Sequence, residues 1–166
     1  MPTDRVFIAL GSNLGDSRAI VGTAMDRLDS ISRLPVRRSS LWTSTPVDCP
    51  PGSPIFINAV VEFFPREDET PESLLTQLQS FEVEAGRRPK TVLNEARPLD
   101  LDLIAWGAEV RNTTSLVLPH PRAHLRRFVL QPLAELAPDF LPPGQNTPVA
   151  GLLAQLSTEE VLRHLL

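Results

Sequence analysis

Apolar residues alternate or recur along this chain with spacings that predict six principal elements. Arg5 to Leu10 is an apolar run suited to a strand, and it enters Gly11-Ser12-Asn13-Leu14-Gly15-Asp16, a turn whose last residue can cap a helix. Ile20, Ala24, Leu28 and Ile31 then keep helical spacing, with Val21 and Met25 widening the stripe, until Pro35 stops it. Val36 to Ser44, rich in hydroxyl and branched residues, reads as a second strand, and a Pro/Gly loop follows from Pro46 to Pro54. In a third strand Ile55, Ile57, Ala59, Val61 and Phe63 share one face, which leaves Phe56 and Asn58 together on the other. Thr70-Pro71-Glu72 sets out a cap, a first-turn proline and an acidic first turn. Leu74, Leu78, Phe81 and Ala85 form the buried stripe behind it, and Gly86 is a plausible stop. A basic, irregular stretch from Arg87 to Arg97 leads to the last strand, Leu99 to Ile104. The order βαββαβ is the split βαβ pattern of a ferredoxin-like α+β sandwich.

Beyond that core, Val110 to Leu118 should add short extended pieces and Pro119-His120-Pro121 a rigid turn, while Pro132 should interrupt any long helix between Ala123 and Leu136. After the connector Pro142-Pro143-Gly144, Val149 to Leu156 and Glu159 to Leu166 read as short terminal helices, the last capped by Ser157 or Thr158. A chain of 166 residues is ordinarily one domain. We therefore expect a single unit over 1–166, with a motif-bearing core over about 5–139 and a packing extension over about 140–166.

Composition narrows the function classes. A formal charge of −4 gives no general electrostatic reason to bind nucleic acid, and the missing glycine and aromatic pattern weakens an RNA-binding reading of the fold. One cysteine, Cys49, excludes an internal disulfide. The start offers no basic leader, and no segment approaches the roughly 20 apolar residues of a membrane span. The expectation is a cytoplasmic protein without membrane association.

Chemistry concentrates at Arg97-Pro98-Leu99-Asp100-Leu101-Asp102-Leu103-Ile104. Period-2 alternation puts Asp100 and Asp102 on one face, roughly 7 Å apart along the strand, with the leucines on the other. Two carboxylates in an apolar strand point either to a solvated face or to a divalent hard cation with oxygen ligands. Arg87 and Arg97 bracket the loop leading to them, with Arg88 and Lys90 inside it and Arg122, Arg126, Arg127, His120 and His124 downstream. Guanidinium forks match phosphate oxygens, so carboxylate-held metal beside an arginine loop would neutralise a polyphosphate from two sides. Gln79 and Glu82 lie together on one side of the second helix. No Cys/His spacing fits zinc, and Gly11 to Asp16 lacks the lysine of a Walker A loop. Asn58 beside Phe56 is an amide next to an aromatic ring, a ready surface for a flat heterocycle.

Together the motifs resemble a known family, the 6-hydroxymethyl-7,8-dihydropterin pyrophosphokinases (HPPK). The resemblance runs through Ala9 to Asp16, Phe56-Ile57-Asn58-Ala59-Val60, Glu82 with Gly86-Arg87, Arg97 to Leu103, and Leu118-Pro119-His120-Pro121-Arg122 with Arg126 and Phe128. It implies transfer of the terminal diphosphate of ATP to the pterin's hydroxymethyl group, releasing AMP, with two magnesium ions held by Asp100 and Asp102. It further implies that Gln79, Glu82, Arg88 and the Leu103 backbone face the nucleotide. Arg87, Arg97, His120 and Arg126 would contact phosphates. Asn58 would read the pterin edge, Phe56 and Phe128 would sandwich its ring, and Ser44, Thr45 and Val47 would line that pocket. Catalysis would fall to Arg87, Arg97 and Asp102. The partners implied are ATP and a reduced pterin, for a monomer that leaves room for weak association with other folate enzymes. The chain departs from the family pattern at Pro89, where a second loop arginine is common, and at Asn94-Glu95-Ala96, where many members carry Trp-Gly-Pro. Phe56 and Trp42 stand where tyrosine is common. A non-catalytic nucleotide- or pterin-binding module is the alternative these departures keep open.

Overall fold

The computed structural model describes residues 4–45, 51–87, 96–158 and 160–165. Its elements are β1 (Val6–Ser12), α1 (Ser17–Ile31), β2 (Arg37–Arg38), β3 (Trp42–Ser44), β4 (Phe56–Phe63), α2 (Pro71–Glu84), β5 (Asp100–Trp106), β6 (Arg111–Asn112), β7 (Val117–Leu118), α3 (Arg127–Leu136), α4 (Val149–Gln155) and β8 (Leu162–His164). A short 3₁₀ turn, Ala123–Leu125, precedes α3. The main sheet runs β5-β1-β4-β3-β8, with β2 also on β4, and every pairing is antiparallel. With β2 and β3 taken as one interrupted strand, each helix crossover skips one neighbour, which is the split βαβ arrangement of the ferredoxin-like sandwich.

Both faces of the sheet are covered. Val6, Ile8 and Leu10 of β1 and Ala59, Val61 and Phe63 of β4 pack with Leu101 and Leu103 against the stripes of α1 (Val21, Ala24, Met25, Leu28) and α2 (Leu74, Leu78, Phe81). Phe7, Ala9, Val60, Ile104 and Ala105 face the other way, onto Val129, Leu130, Leu133 and Leu136 of α3, with Val149, Leu152 and Leu153 of α4 beyond. Both helix starts follow the local signals: Asp16 accepts the Ala19 N–H, and Thr70 and Ser73 form a reciprocal capping box ahead of Pro71. Gly86, at φ +100°, closes α2.

Four expectations need correction. The segment Val36 to Ser44 is not one strand, because the Ser39 hydroxyl takes the Val60 N–H while Ser40 and the Trp42 indole N–H turn to Glu135 on α3. α3 runs through Pro132, whose ring joins the buried stripe. The break lies earlier, where the 3₁₀ turn gives way at Arg126. Leu162–His164 is not helical: it extends the sheet by pairing with Trp42–Ser44. Ile55 also falls outside the buried face expected for it, exposed just before β4 begins. No helix among the described residues is long and apolar enough to cross a membrane.

Candidate active site

The register explains why chemistry gathers at one end of the sheet. Ala9 lies opposite Asp102, Gly11 opposite both Asp100 and Asn58, and Ser44 opposite Phe56. These residues share the α3 face across four adjacent strands. Their centre is made of Ala9 and Gly11, so a hollow opens between the carboxylates of β5 and the Phe56/Asn58 surface of β4. A Cβ added at Gly11 would point into it, 3.6 Å from Asn58 Oδ1 and 3.9 Å from the Phe56 ring. The resulting cleft holds about 290 Å³ and is walled by Arg97, by Arg122, Arg126 and Phe128 around the start of α3, and by Thr158 and Glu160.

Asn13 fixes the two loops at the rim. Buried at the turn after β1, it accepts from Arg97 N–H through Oδ1 (2.9 Å) and donates through Nδ2 to the Pro54 carbonyl (3.2 Å), while its own N–H reaches the Arg97 carbonyl. The sequence placed Asn13 in a tight turn, but its clamping role needs both loops in place. On β4, Asn58 Nδ2 donates to Ser44 Oγ at 2.6 Å. That bond fixes which way the Asn58 amide presents itself to the cleft.

The acidic side is a graded cluster. Asp100 receives Arg87 Nη1 at 2.6 Å and Arg97 Nη1 at 3.2 Å, one guanidinium on each oxygen. Arg87 also bonds Glu82 at 2.9 Å, and Glu82 accepts the Leu101 N–H on the outer edge of β5. The Arg97 guanidinium lies 5.8 Å from the Phe56 ring, joining the acidic and aromatic halves. Asp102 is pushed up to about 7, first by burial and then by the neighbouring Asp100 charge, with Arg126 pulling it back. Burial also raises Glu82. His120 is pushed down to about 4 by burial and by the nearby Arg126. Its Nδ1 accepts the Arg122 N–H, so the neutral ring carries its hydrogen on Nε2 and can donate there.

Most of the expected residues come together. Ser44, Thr45, Phe56, Asn58, Arg97, Asp100, Asp102, Arg126 and Phe128 line the cleft. Arg87 and Glu82 join it through Asp100, and His120 lies within electrostatic reach of Asp100 and Arg126. Leu103 has its side chain in the core, and on β5 it lies between Leu101, whose N–H Glu82 holds, and Ile104, whose carbonyl takes the His120 N–H. Gln79 is exposed on α2, one turn before Glu82, and is not among the lining residues. Val47 and Arg88 lie outside the described residues, as do Pro89 and Lys90. Glu160 and Thr158, which the sequence reading gave no site role, also line the cleft.

The donor set bears on metal binding. Among the described residues no group of three His, Cys, Asp or Glu side chains gathers to hold an ion. Magnesium, however, is typically held by one or two carboxylates, with phosphate oxygens and water supplying the rest. Burial and the Asp100 charge push Asp102 up to about 7, so a cation placed beside it would offset the cost of ionising it there. The two carboxylates therefore fit magnesium bound together with a nucleotide.

Fold and cleft define the class: a ferredoxin-like α+β sandwich with a pocket of arginine, carboxylate and aromatic side chains at one end of its sheet. The family model described as 7,8-dihydro-6-hydroxymethylpterin-pyrophosphokinase (HPPK) matches residues 7–138. A 2-amino-4-hydroxy-6-hydroxymethyldihydropteridine pyrophosphokinase of Pseudomonas aeruginosa is 39% identical over 149 residues, covering 87% of this chain and 88% of the relative. The Haemophilus influenzae protein of the same name is 32% identical and covers 95% and 96%. A crystal structure of an HPPK-DHPS in complex with substrates shares the fold at TM-score 0.69 and 10% identity, over 93% of this chain and 43% of that one. The chain belongs to the HPPK family.

Proposed function

We infer that this cleft is where the chain carries out its family's reaction, the ATP-dependent transfer of diphosphate to the hydroxymethyl group of 6-hydroxymethyl-7,8-dihydropterin, with release of AMP, in folate biosynthesis. The observation that carries the assignment is the opening of a carboxylate pair and an aromatic–amide surface onto one hollow, separated by Ala9 and Gly11. A polyphosphate beside β5 and a flat heterocycle beside β4 would then lie next to each other.

In this reading Asn58, oriented by Ser44, reads the hydrogen-bonding edge of the pterin, and Phe56 and Phe128 hold its ring, with Thr45 beside it; the family resemblance adds Val47, which lies outside the described residues. Asp100 and Asp102 would hold two magnesium ions, which when bound neutralise the triphosphate and polarise the β-phosphorus. Arg87 and Arg97 exchange part of their pairing with Asp100 for phosphate oxygens and stabilise the charge that develops as the pterin hydroxyl attacks and AMP leaves. His120 donates to a phosphate from Nε2 as a neutral ring, and Arg126 supplies a fixed positive charge. Glu82 and the Leu103 backbone would face the nucleotide, and the family resemblance gives the same role to Gln79 and to Arg88, which lies outside the described residues. Positioning and electrostatics carry most of the rate in this scheme, and Asp102 is the nearest candidate to take the proton that leaves the pterin hydroxyl. We read the chain as a cytoplasmic monomer, its lone cysteine suiting a reducing compartment.

Incubating the protein with ATP, magnesium and the reduced pterin should yield AMP, whereas ADP or free phosphate as the product would reject the pyrophosphokinase reading. Asp102→Asn should remain folded and lose magnesium-dependent turnover by at least about 10²-fold. An active variant would count against the carboxylate pair.

A further inference from the structure

α3 starts without a side-chain cap of its own, since Arg126 holds the N-cap position and makes no capping bond. Glu160 supplies what is missing. Its Oε2 accepts the Arg127 N–H at 3.1 Å and its Oε1 the Phe128 N–H at 3.0 Å. Free N–H groups at a helix start need acceptors, and a carboxylate is the strongest side-chain acceptor available for them. Glu160 is only 8% exposed, and burial raises its pKa despite the two bonds. The next residue reaches the opposite wall of the cleft. Val161 N–H donates to Thr45 Oγ1, the Thr45 N–H donates to the Val161 carbonyl, and β8 continues along β3. The C-terminal strand thus ties the α3 wall, with Phe128, to the β3 wall, with Ser44.

We propose that Glu160 is a positioning residue for the pterin, holding the first turn of α3 so that the Phe128 ring stands across the hollow from Phe56 and Asn58. The proposal rests on reading that side of the cleft as the pterin site. Phe128 is the second residue of α3, so the placement of its ring follows the backbone of the first turn. Removing the carboxylate leaves two N–H groups without their acceptor and frees that turn to fray. Asp100 and Asp102 stand on β5 and not on the first turn of α3, and only Arg126, the N-cap of that turn and within electrostatic reach of Glu160, links it to the phosphate side, so the loss falls mainly on the pterin and much less on ATP.

The test compares Glu160→Ala and Glu160→Gln with the wild type by AMP formation, varying each substrate in turn, and by amide hydrogen exchange at Arg127 and Phe128. Glu160→Ala should raise the KM for the pterin about tenfold, the size of a lost helix cap, with the KM for ATP within about twofold of the wild type. Glu160→Gln, whose amide oxygen can keep one of the two bonds, should fall between, and exchange at both amides should quicken in the same order. Should the alanine variant not fold, a pterin KM raised above the wild type in the glutamine variant, with the ATP KM within about twofold, supports the proposal. An unchanged pterin KM in the folded variants overturns it, as does an ATP KM that rises in step. If the wild type forms no AMP, the reaction assignment has failed, and equilibrium binding of the pterin to wild type and Glu160→Gln then decides the role of Glu160: equal affinity overturns it, weaker binding by the variant supports it.

Discussion

At the scale of single residues, the cleft depends as much on what Gly11 lacks as on what its neighbours carry. Gly11 sits in a regular antiparallel register between Asp100 and Asn58, and an added Cβ meets its neighbours at ordinary contact distances. A branched side chain is therefore compatible with the strand but not with an occupant of the hollow. Gly11→Val should change the melting temperature by no more than about 3 °C while weakening pterin binding at least about tenfold, measured by thermal unfolding and by equilibrium titration. His120 makes a second prediction. Its folded pKa of about 4 lies below the ordinary 6.5, so between those values the unfolded chain binds more protons than the folded one. Stability attributable to this ring is full above about pH 6.5 and falls as pH drops towards 4, by at most about 3 kcal/mol before allowing for solvent screening. Asp102, shifted upward, pulls with the opposite sign over much the same range, so the wild-type curve alone isolates neither group. The comparison with His120→Gln does: urea midpoints should show the variant gaining on the wild type as pH falls from 6.5 to 4.5, and parallel curves would show that the ring is not held neutral.

At the scale of elements, connections decide whether the cleft keeps its shape. Asn13 bonds the segment before β4 and the segment before β5 from a single buried side chain. Asn13→Ala strands the Arg97 N–H and the Pro54 carbonyl, and should cost about 1–3 kcal/mol in denaturant unfolding. It should also lower kcat by about tenfold or more at a temperature where the variant is folded, because Arg97 keeps only one of its two backbone bonds to residue 13. This clamp separates what the sequence could reveal from what it could not. α1 and α2 were legible because their signals are local: Asp16 and Thr70 as caps, Gly86 as stop, and stripes such as Val21, Ala24, Met25 and Leu28 that recur every turn. The D-x-D strand and the Phe56/Asn58 face were legible for the same reason, since alternation alone fixes a shared face. β8 was not. Val161, Leu162, Leu165 and Leu166 fit helical spacing equally well, and the segment becomes a strand through an edge offered by Trp42–Ser44, about 120 residues earlier. Pro132 misled because its usual cost was weighed without the buried face that α3 gains by running through it. Glu160 carried no signal, since a carboxylate that caps another element's helix cannot be told from a solvated one until both elements are in place.

At the scale of the whole molecule, the central sheet is stable only if both of its faces are covered, and the two covers come from different parts of the chain. α1 and α2, inside the βαββαβ core, cover one face, while α3 and α4 cover the other, where Phe7 meets the Phe140 ring at 4.9 Å between centroids. The extension after residue 139 thus completes a core rather than building a second one, and we propose that the chain unfolds as one cooperative unit. Two tryptophans at opposite ends of the sheet can report on this. Trp106 is buried on β5, and Trp42 on β3 packs edge-on against His164 of β8. Replacing each in turn with Phe and following the fluorescence of the other through urea should give midpoints that, after correction for the change in stability caused by each substitution, coincide with each other and with far-UV circular dichroism. A Trp42 transition clearly earlier than that of Trp106 would mean that the β3–β8 edge melts on its own. A chain ending at Asp139 provides the stronger test. It keeps α3 but loses Phe140, Val149, Leu152 and Leu153, exposing most of the apolar face that they cover. Val149 is buried and Phe140, Leu152 and Leu153 are half-buried, so at roughly 2–5 kcal/mol for a fully buried large side chain and less for each half-buried one, this removal takes a large share of the stability of a domain this size. The truncated chain should therefore retain helical signal without a cooperative urea transition. A sharp transition near the wild-type midpoint would instead establish residues up to 139 as an independent folding unit.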